Sequence, residues 1–225
     1  MGIDYTKRPS APSTSTPPPS TEQPTSISLT KAAPRVNLAK GGDGQGPMRV
    51  NLNWTAQKPS GGFLAKLAAS ANQVDLDLGC LYELADGSRG VIQALGNSFG
   101  ALDTPPYILL DGDDRSGANA AGENMHVNLA RPEQFRRVLV FAMIYQGAPN
   151  WAAVDGVVTL FPTSGPQVEV RLDSAENKAR ICAVALIESD GRTVSVQREV
   201  KYVTGSQADL DKMYGFGLQW KAGRK

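Results

Sequence analysis

From residue 74 to residue 203 the chain is a succession of short apolar or alternating runs, and this constrains the fold more than any other feature. The runs fall at 74–84, 91–95, 107–110, 124–129, 136–146, 157–161, 167–172, 180–188 and 194–203, separated by clusters of Gly, Pro, Asp and Asn. That spacing of short strands and turn signals argues for an all-β, antiparallel β-sandwich rather than alternating β and α units. "RVLVFAMIY" and "RICAVALIE" are apolar on both faces and are expected to be central strands, whereas "QVEVRL" and "TVSVQREV" alternate and are expected to keep one wet face. One short helical addition is predicted at "SQADLDKMYG", with Ser206 as its cap, Asp209 three residues on and Gly215 at its end.

The N-terminal part reads differently. "RPSAPSTSTPPPSTEQPTS", residues 8–26, has almost nothing to bury, so residues 1–26 are expected to be a disordered tail and residues 27–225 one sandwich domain. With 41% hydrophobic and 20% charged residues, 225 residues suffice for one such core. "ISLTK" at 27–31, "VNLAK" at 36–40 and "VNLNW" at 50–54 each suit a short edge strand or hairpin arm. "GGDGQG" at 41–46 leads into a strand rather than opening a helix, so a flexible turn fits it better than a phosphate loop. "FLAKLAASA" at 63–71 is predicted to be a short amphipathic helix or an ordered arm.

Charge and motif content exclude several function classes. Twenty-three basic residues against 22 acidic ones create no global field for nucleic acid or an anionic membrane. No apolar run approaches the roughly 18 residues of a membrane span, so a cytoplasmic location is expected. Cys80 and Cys182 lie in apolar runs and are expected to be buried free thiols. The single histidine, His126, alternates with Asn124 and Asn128 and is expected on a polar surface rather than as a general base. One His and two isolated Cys do not make a zinc site, and no nucleophile elbow, Walker loop or dinucleotide fingerprint occurs in its required context. Trp151 is expected to pack in the core or at its rim, and Arg136 and Arg137 to reach solvent.

The chemistry is concentrated in two acidic stretches. In "VDLDLGCLYEL" alternation places Leu76, Leu78, Cys80, Tyr82 and Leu84 on the core face, so Asp75 and Asp77 project together from the other, roughly 6–7 Å apart in a regular strand. Two such carboxylates repel unless a basic group, water and salt, or a cation lies between them. The second stretch, "LDGDDRSGANAAGEN" at 110–124, offers the oxygens of Asp111, Asp113, Asp114, Ser116, Asn119, Glu123 and Asn124 in a glycine-rich loop. Hard oxygens of this kind suit calcium, although the spacing is not that of an EF-hand. A solvated acid pair and an ordinary polar turn account equally for each stretch taken alone.

Taken in order, "DLDL", "LYELADGS", "LDGDDRSG", "GENMHVNL", "RRVLVFAMIY", "NWAAVDGVVTLF" and "VEVRLD" resemble the tellurite-resistance TerD family of bacterial stress proteins, most closely its TerA-type members. The resemblance covers over half the chain. It implies a β-sandwich binding calcium (Ca2+) between a D-x-D strand, here Asp75 and Asp77, and a G-D-N-x-T/S-G loop. Gly112 and Asp113 match the start of that loop, Asp114 stands for its Asn, and Ser116 and Gly117 match its end. The family's following acidic cluster is reduced to Glu123, and the aspartate of its V-D-L strand is Asn128. Fewer charges imply weaker binding or the loss of one of two ions, since affinity follows ligand charge.

The resemblance further implies a non-enzymatic, calcium-binding role in resistance to tellurite and other chemical stress. Its partners would be other tellurite-resistance or stress proteins, in an assembly in the cytoplasm or peripherally at the inner face of the membrane, without nucleic acid. The alternatives are a metal-free scaffold of the same fold, or a metal-dependent enzyme in which Asp75, Asp77 and Asp113 clamp a phosphorylated substrate.

Overall fold

The alternating runs predicted from sequence form the strands of two stacked sheets. The structure, a computed structural model, describes residues 26–30, 34–38, 46–55, 74–112 and 122–221. The strands in chain order are β1 (Ser26–Ser28), β2 (Arg35–Asn37), β3 (Pro47–Asn53), β4 (Asp75–Leu84), β5 (Arg89–Ile92), β6 (Gly100–Ala101) and β7 (Ile108–Leu110). They continue with β8 (Glu123–Asn128), β9 (Phe135–Gln146), β10 (Gly156–Phe161), β11 (Gln167–Leu172), β12 (Ile181–Ser189) and β13 (Val194–Val203). The helix α1 (Gln207–Tyr214) follows, with the capping box of Ser206 and Asp209 and a left-handed Gly215 at its end, as its sequence predicts.

Among the described residues one sheet has the order β1-β11-β10-β3-β8-β7-β6 and the other β2-β13-β12-β9-β4-β5. Pairing is antiparallel except between β1 and β11. The doubly apolar β9 and β12 are interior strands of the second sheet, as expected. β1 and β2 are edge strands, but β3, the third of the short N-terminal pieces, is interior: it pairs with β10 on one side and β8 on the other. Its apolar positions Met48, Val50 and Leu52 are fully buried, which an edge strand would not require. The predicted turn at 41–46 lies almost wholly, and the arm at 63–71 entirely, outside the described residues.

The core between the sheets is built from alternate side chains, among them Val50, Leu52, Leu78, Met125, Val140 and Val158. β9 sends Val138, Val140 and Ala142 to this core and Leu139 and Phe141 to a second cluster on the outer side of its sheet. On β12 the alternation breaks between Ala183 and Ala185, where a bulge shifts the register against both neighbours. Val184 and Ala185 therefore both reach the inter-sheet core.

The N-terminal pieces close one side of the sandwich. β1 lies on β11 at the edge of one sheet and β2 on β13 at the edge of the other. Leu29 and Leu38, just after each short strand, are buried in the core. Trp151 is fully buried and its Nε1 donates to Ala179 O at 2.9 Å, as expected of a packed ring. No described helix is long and apolar enough to cross a membrane.

Candidate functional site

β4 is ten residues long, but β5 pairs only with its Cys80–Glu83 half. Along Asp75–Gly79 the strand has β9 on one edge, and among the described residues no strand pairs with the other. Glu123, the first residue of β8 in the opposite sheet, reaches this place: its Oε2 accepts the Leu78 N–H at 2.7 Å. The approach depends on Gly122, whose φ is +67 and where a Cβ would stand 2.1 Å from Leu52 O. A glycine at this turn brings the end of the 111–124 connection onto β3 and aims the next side chain between the sheets.

Asp75, Asp77 and Glu123 are each only 2% exposed. For the aspartates this differs from a solvated pair on an open sheet face. The register of β4 against β9 also shifts between Asp75 and Leu76, so the two do not sit on a regular strand. Burying a carboxylate costs several kcal/mol unless donors or cations compensate it. Glu123 has the Leu78 amide, and each of the three residues engages a further partner.

The other predicted ligands divide. Gly112 is described and has φ +149, a bend at the start of the loop that suits glycine. Asp113, Asp114, Ser116, Gly117 and Asn119 lie outside the described residues. Among the described residues no three His, Cys, Asp or Glu side chains gather closely enough to share a metal ion.

The loop ends place two oxygen-bearing side chains elsewhere. The Asp111 N–H donates to Asn124 O at 3.0 Å, closing the base of the hairpin between β7 and β8. The Asp111 carboxylate lies 2.9 Å from His126 Nε2, and the Asn124 side-chain oxygen accepts from Arg49 and Asn51, each at 3.0 Å. Since β8 buries Glu123, Met125 and Val127, alternation turns Asn124 and His126 to the outer face. His126 is thus on the polar side, as expected. Asn128 stands at the far end of β8, about 17 Å from Glu123 at strand rise. Its side chain there donates to Leu102 O and accepts from Ala130 N, so its amide serves a turn and not the acidic group.

A second buried acid was not foreseen. Glu83, at the other end of β4, accepts from Arg137 Nε at 2.8 Å and Arg89 Nη2 at 3.2 Å, with Arg136 at 3.7 Å. Burial alone would push its carboxyl up, but the hydrogen bond and charge of Arg137, followed by Arg89, hold it below the usual carboxylate range. Arg136 reaches solvent as expected. Arg137 instead turns onto the sheet, because Glu83 lies directly opposite it in the β4–β9 register. The signal available in sequence was the glutamate inside an otherwise apolar run.

Cys80 and Cys182 are buried free thiols, as expected, and burial pushes both well above the ordinary thiol range. They stay protonated and offer no thiolate ligand. What the described site presents is therefore carboxylate and backbone oxygen.

No protein-family model matches the chain. It is 42% identical over 199 residues to the tellurium resistance protein TerA of Alcaligenes sp, an overlap covering 88% of this chain and 58% of that protein. The chain thus spans little more than half the length of this relative. Two crystal structures share the fold. A protein of unknown function matches with a TM-score of 0.53 at 17% identity, covering 79% of this chain and 100% of that one. A homologue of the telluride resistance protein TerD from Streptomyces coelicolor A3(2) matches with a TM-score of 0.50 at 19% identity, covering 74% and 95%.

Proposed function

This chain belongs to the tellurite-resistance TerD family, alongside TerA, and we propose that it works there as a calcium-binding, non-enzymatic module. One observation carries the reading: three carboxylates from opposite sheets, Asp75 and Asp77 on β4 and Glu123 on β8, are all buried. The donor set fits a hard cation. Carboxylates, a hydroxyl and glycine carbonyls suit calcium, which takes six to eight oxygens in loose geometry. Because these three acids do not gather round one point, Asp75 and Asp77 would supply the strand side of the site and Glu123 would brace it through the Leu78 amide. Gly112, Asp113, Asp114, Ser116 and Gly117 would supply the loop side.

Bound calcium supplies charge neutralisation between the strand acids and the loop. Glu123 holds the two sheets in register through Leu78, so ion binding would stiffen the end of the sandwich where the loop emerges. The ordered loop then presents a surface to other tellurite-resistance or stress proteins, in the cytoplasm or peripherally at the inner face of the membrane. Resistance to tellurite and other chemical stress would follow from that assembly and not from turnover.

The test is thermal unfolding of chelator-stripped protein with calcium or magnesium added, for wild type and Asp77→Asn. A calcium-selective rise in melting temperature that the variant loses is expected. An equal response to both ions, or none, argues against the site.

A further inference from the structure

The two sheets differ on their outer faces. That of the β9 sheet is apolar, and the C-terminal Tyr214, Phe216 and Trp220 cover its Leu81, Leu139 and Phe141. The outer face of the other sheet is polar at β3 and β8, where Asn51 stands directly opposite Asn124 and Arg49 opposite His126. The Asn124 side-chain oxygen accepts there from both Arg49 Nη1 and Asn51 Nδ2. Asn51 Nδ2 also donates to the backbone carbonyl of Glu123 at 3.3 Å. Asn51 is only 8% exposed, and Arg49 lies over the Phe161 ring with its guanidinium carbon 3.9 Å from the centroid.

These contacts bear on Glu123 because of where it stands. It is the first residue of β8, and the end of a strand frays unless side chains pin it. Successive side chains of a strand point to opposite faces, so two donors that fix Asn124 outward also fix the direction in which Glu123 points inward. Asn51 adds a hold on the Glu123 carbonyl itself. Glu123 in turn accepts the Leu78 N–H at 2.7 Å, and the peptide that carries this N–H is the one that leaves Asp77. Because that peptide is planar, the direction of its N–H fixes the backbone course out of Asp77. An amide on the outer face of one sheet is thereby linked, through Glu123, to a buried acid of the other.

We propose that Asn51 and Asn124 are positioning residues for Asp77, acting through Glu123 and the Leu78 amide, a role that rests on Asp77 being a calcium ligand. The pair sets how Asp77 meets the ion without touching it. Two amides suit this role, since each both donates and accepts and neither brings a charge that would compete for a cation. Arg49 supports Asn124 from the other side.

Nuclear magnetic resonance of the full-length protein reads the Leu78 amide directly, because a proton donated to a buried carboxylate lies downfield of an ordinary strand amide. Calorimetric titration of chelator-stripped protein with calcium reads the ion site. Asn51→Ala and Asn124→Ala are each expected to move the Leu78 amide upfield, speed its hydrogen exchange and weaken calcium binding about threefold to tenfold. Arg171→Ala, on β11 and two strands away on the same outer face, is expected to change none of these. A Leu78 amide that stays in place in both asparagine variants overturns the proposal, and so does one that moves while calcium affinity holds. Absence of calcium binding to wild type removes the calcium reading instead, and the Leu78 amide then decides the positioning of Asp77 on its own. If Asn51→Ala does not fold, the less buried Arg49→Ala takes its place beside Asn124→Ala with the same criteria.

Discussion

At the scale of single residues the molecule is governed by where it buries carboxylates. Glu83 is the case with its partners in full view, between Arg137 and Arg89 and nearly closed off from water. Glu83→Gln leaves those guanidinium groups facing a neutral amide. We expect a loss of about 3 kcal/mol, at the lower end for a broken buried pair because Arg89 keeps substantial solvent contact. The sign of its pH dependence follows from its depressed folded value. Its contribution is complete above the ordinary value of 4.5 and is lost as pH falls through the lower folded value. Urea midpoints of wild type and Glu83→Gln should therefore differ most at neutral pH and converge as the acid is protonated. A gap that stays constant down to about pH 3 contradicts this assignment. Asp75 and Asp77 were legible as a pair from alternation, but their depth was not. Burial depends on what comes to lie over a strand, and a single strand's sequence does not contain that.

At the scale of elements, regular strands were readable and edges were not fully so. The runs at 136–146, 157–161, 167–172 and 194–203 match their strands closely, because a fixed period of two and turn residues at both ends determine them locally. "VNLNW" was read as an edge strand or a hairpin arm because its length and polarity do not separate an edge from an interior position. Only pairing with β8 and β10, drawn from residues more than 70 positions away, makes it interior. The two-residue β6 carries too little pattern to detect. The N-terminal strap has a testable weight of its own. Leu38 is buried next to a strand only three residues long, so its side chain anchors what β2 alone holds weakly. Leu38→Ala is expected to cost about 2–4 kcal/mol by the usual cavity and transfer terms. Faster hydrogen exchange at Val196 and Arg198, on the β13 edge it secures, should accompany the loss. Unchanged exchange there would mean that β2 stays in place without its anchor.

At the scale of the whole molecule the sandwich joins two sheets whose partnership is secured at separate places: by Glu123 near the acidic loop, and by the strap on the β11 and β13 edges. An ion held only by the folded form adds stability with its concentration. At one hundred times its dissociation constant calcium should add about 2.7 kcal/mol. For a chain of this length that is a melting shift of roughly 5–10 °C. The shift should grow with the logarithm of calcium concentration beyond saturation, and a shift that stops growing there contradicts simple linkage. The overall class was visible in the order of motifs. The Glu83 arginine cluster and the C-terminal cover were not, since each depends on side chains that only the completed sheet brings together.

The strap also sets a schedule for synthesis. β1 and β2 are among the first described residues to be made, yet their partners β11 and β13 are encoded at 167–172 and 194–203. At about 5–20 residues per second, the ribosome leaves Leu29 and Leu38 without their docking edges for on the order of ten seconds or more. β1 and β2 must therefore wait outside the fold, and this side of the sandwich is sealed only when strands made more than 100 residues later have emerged.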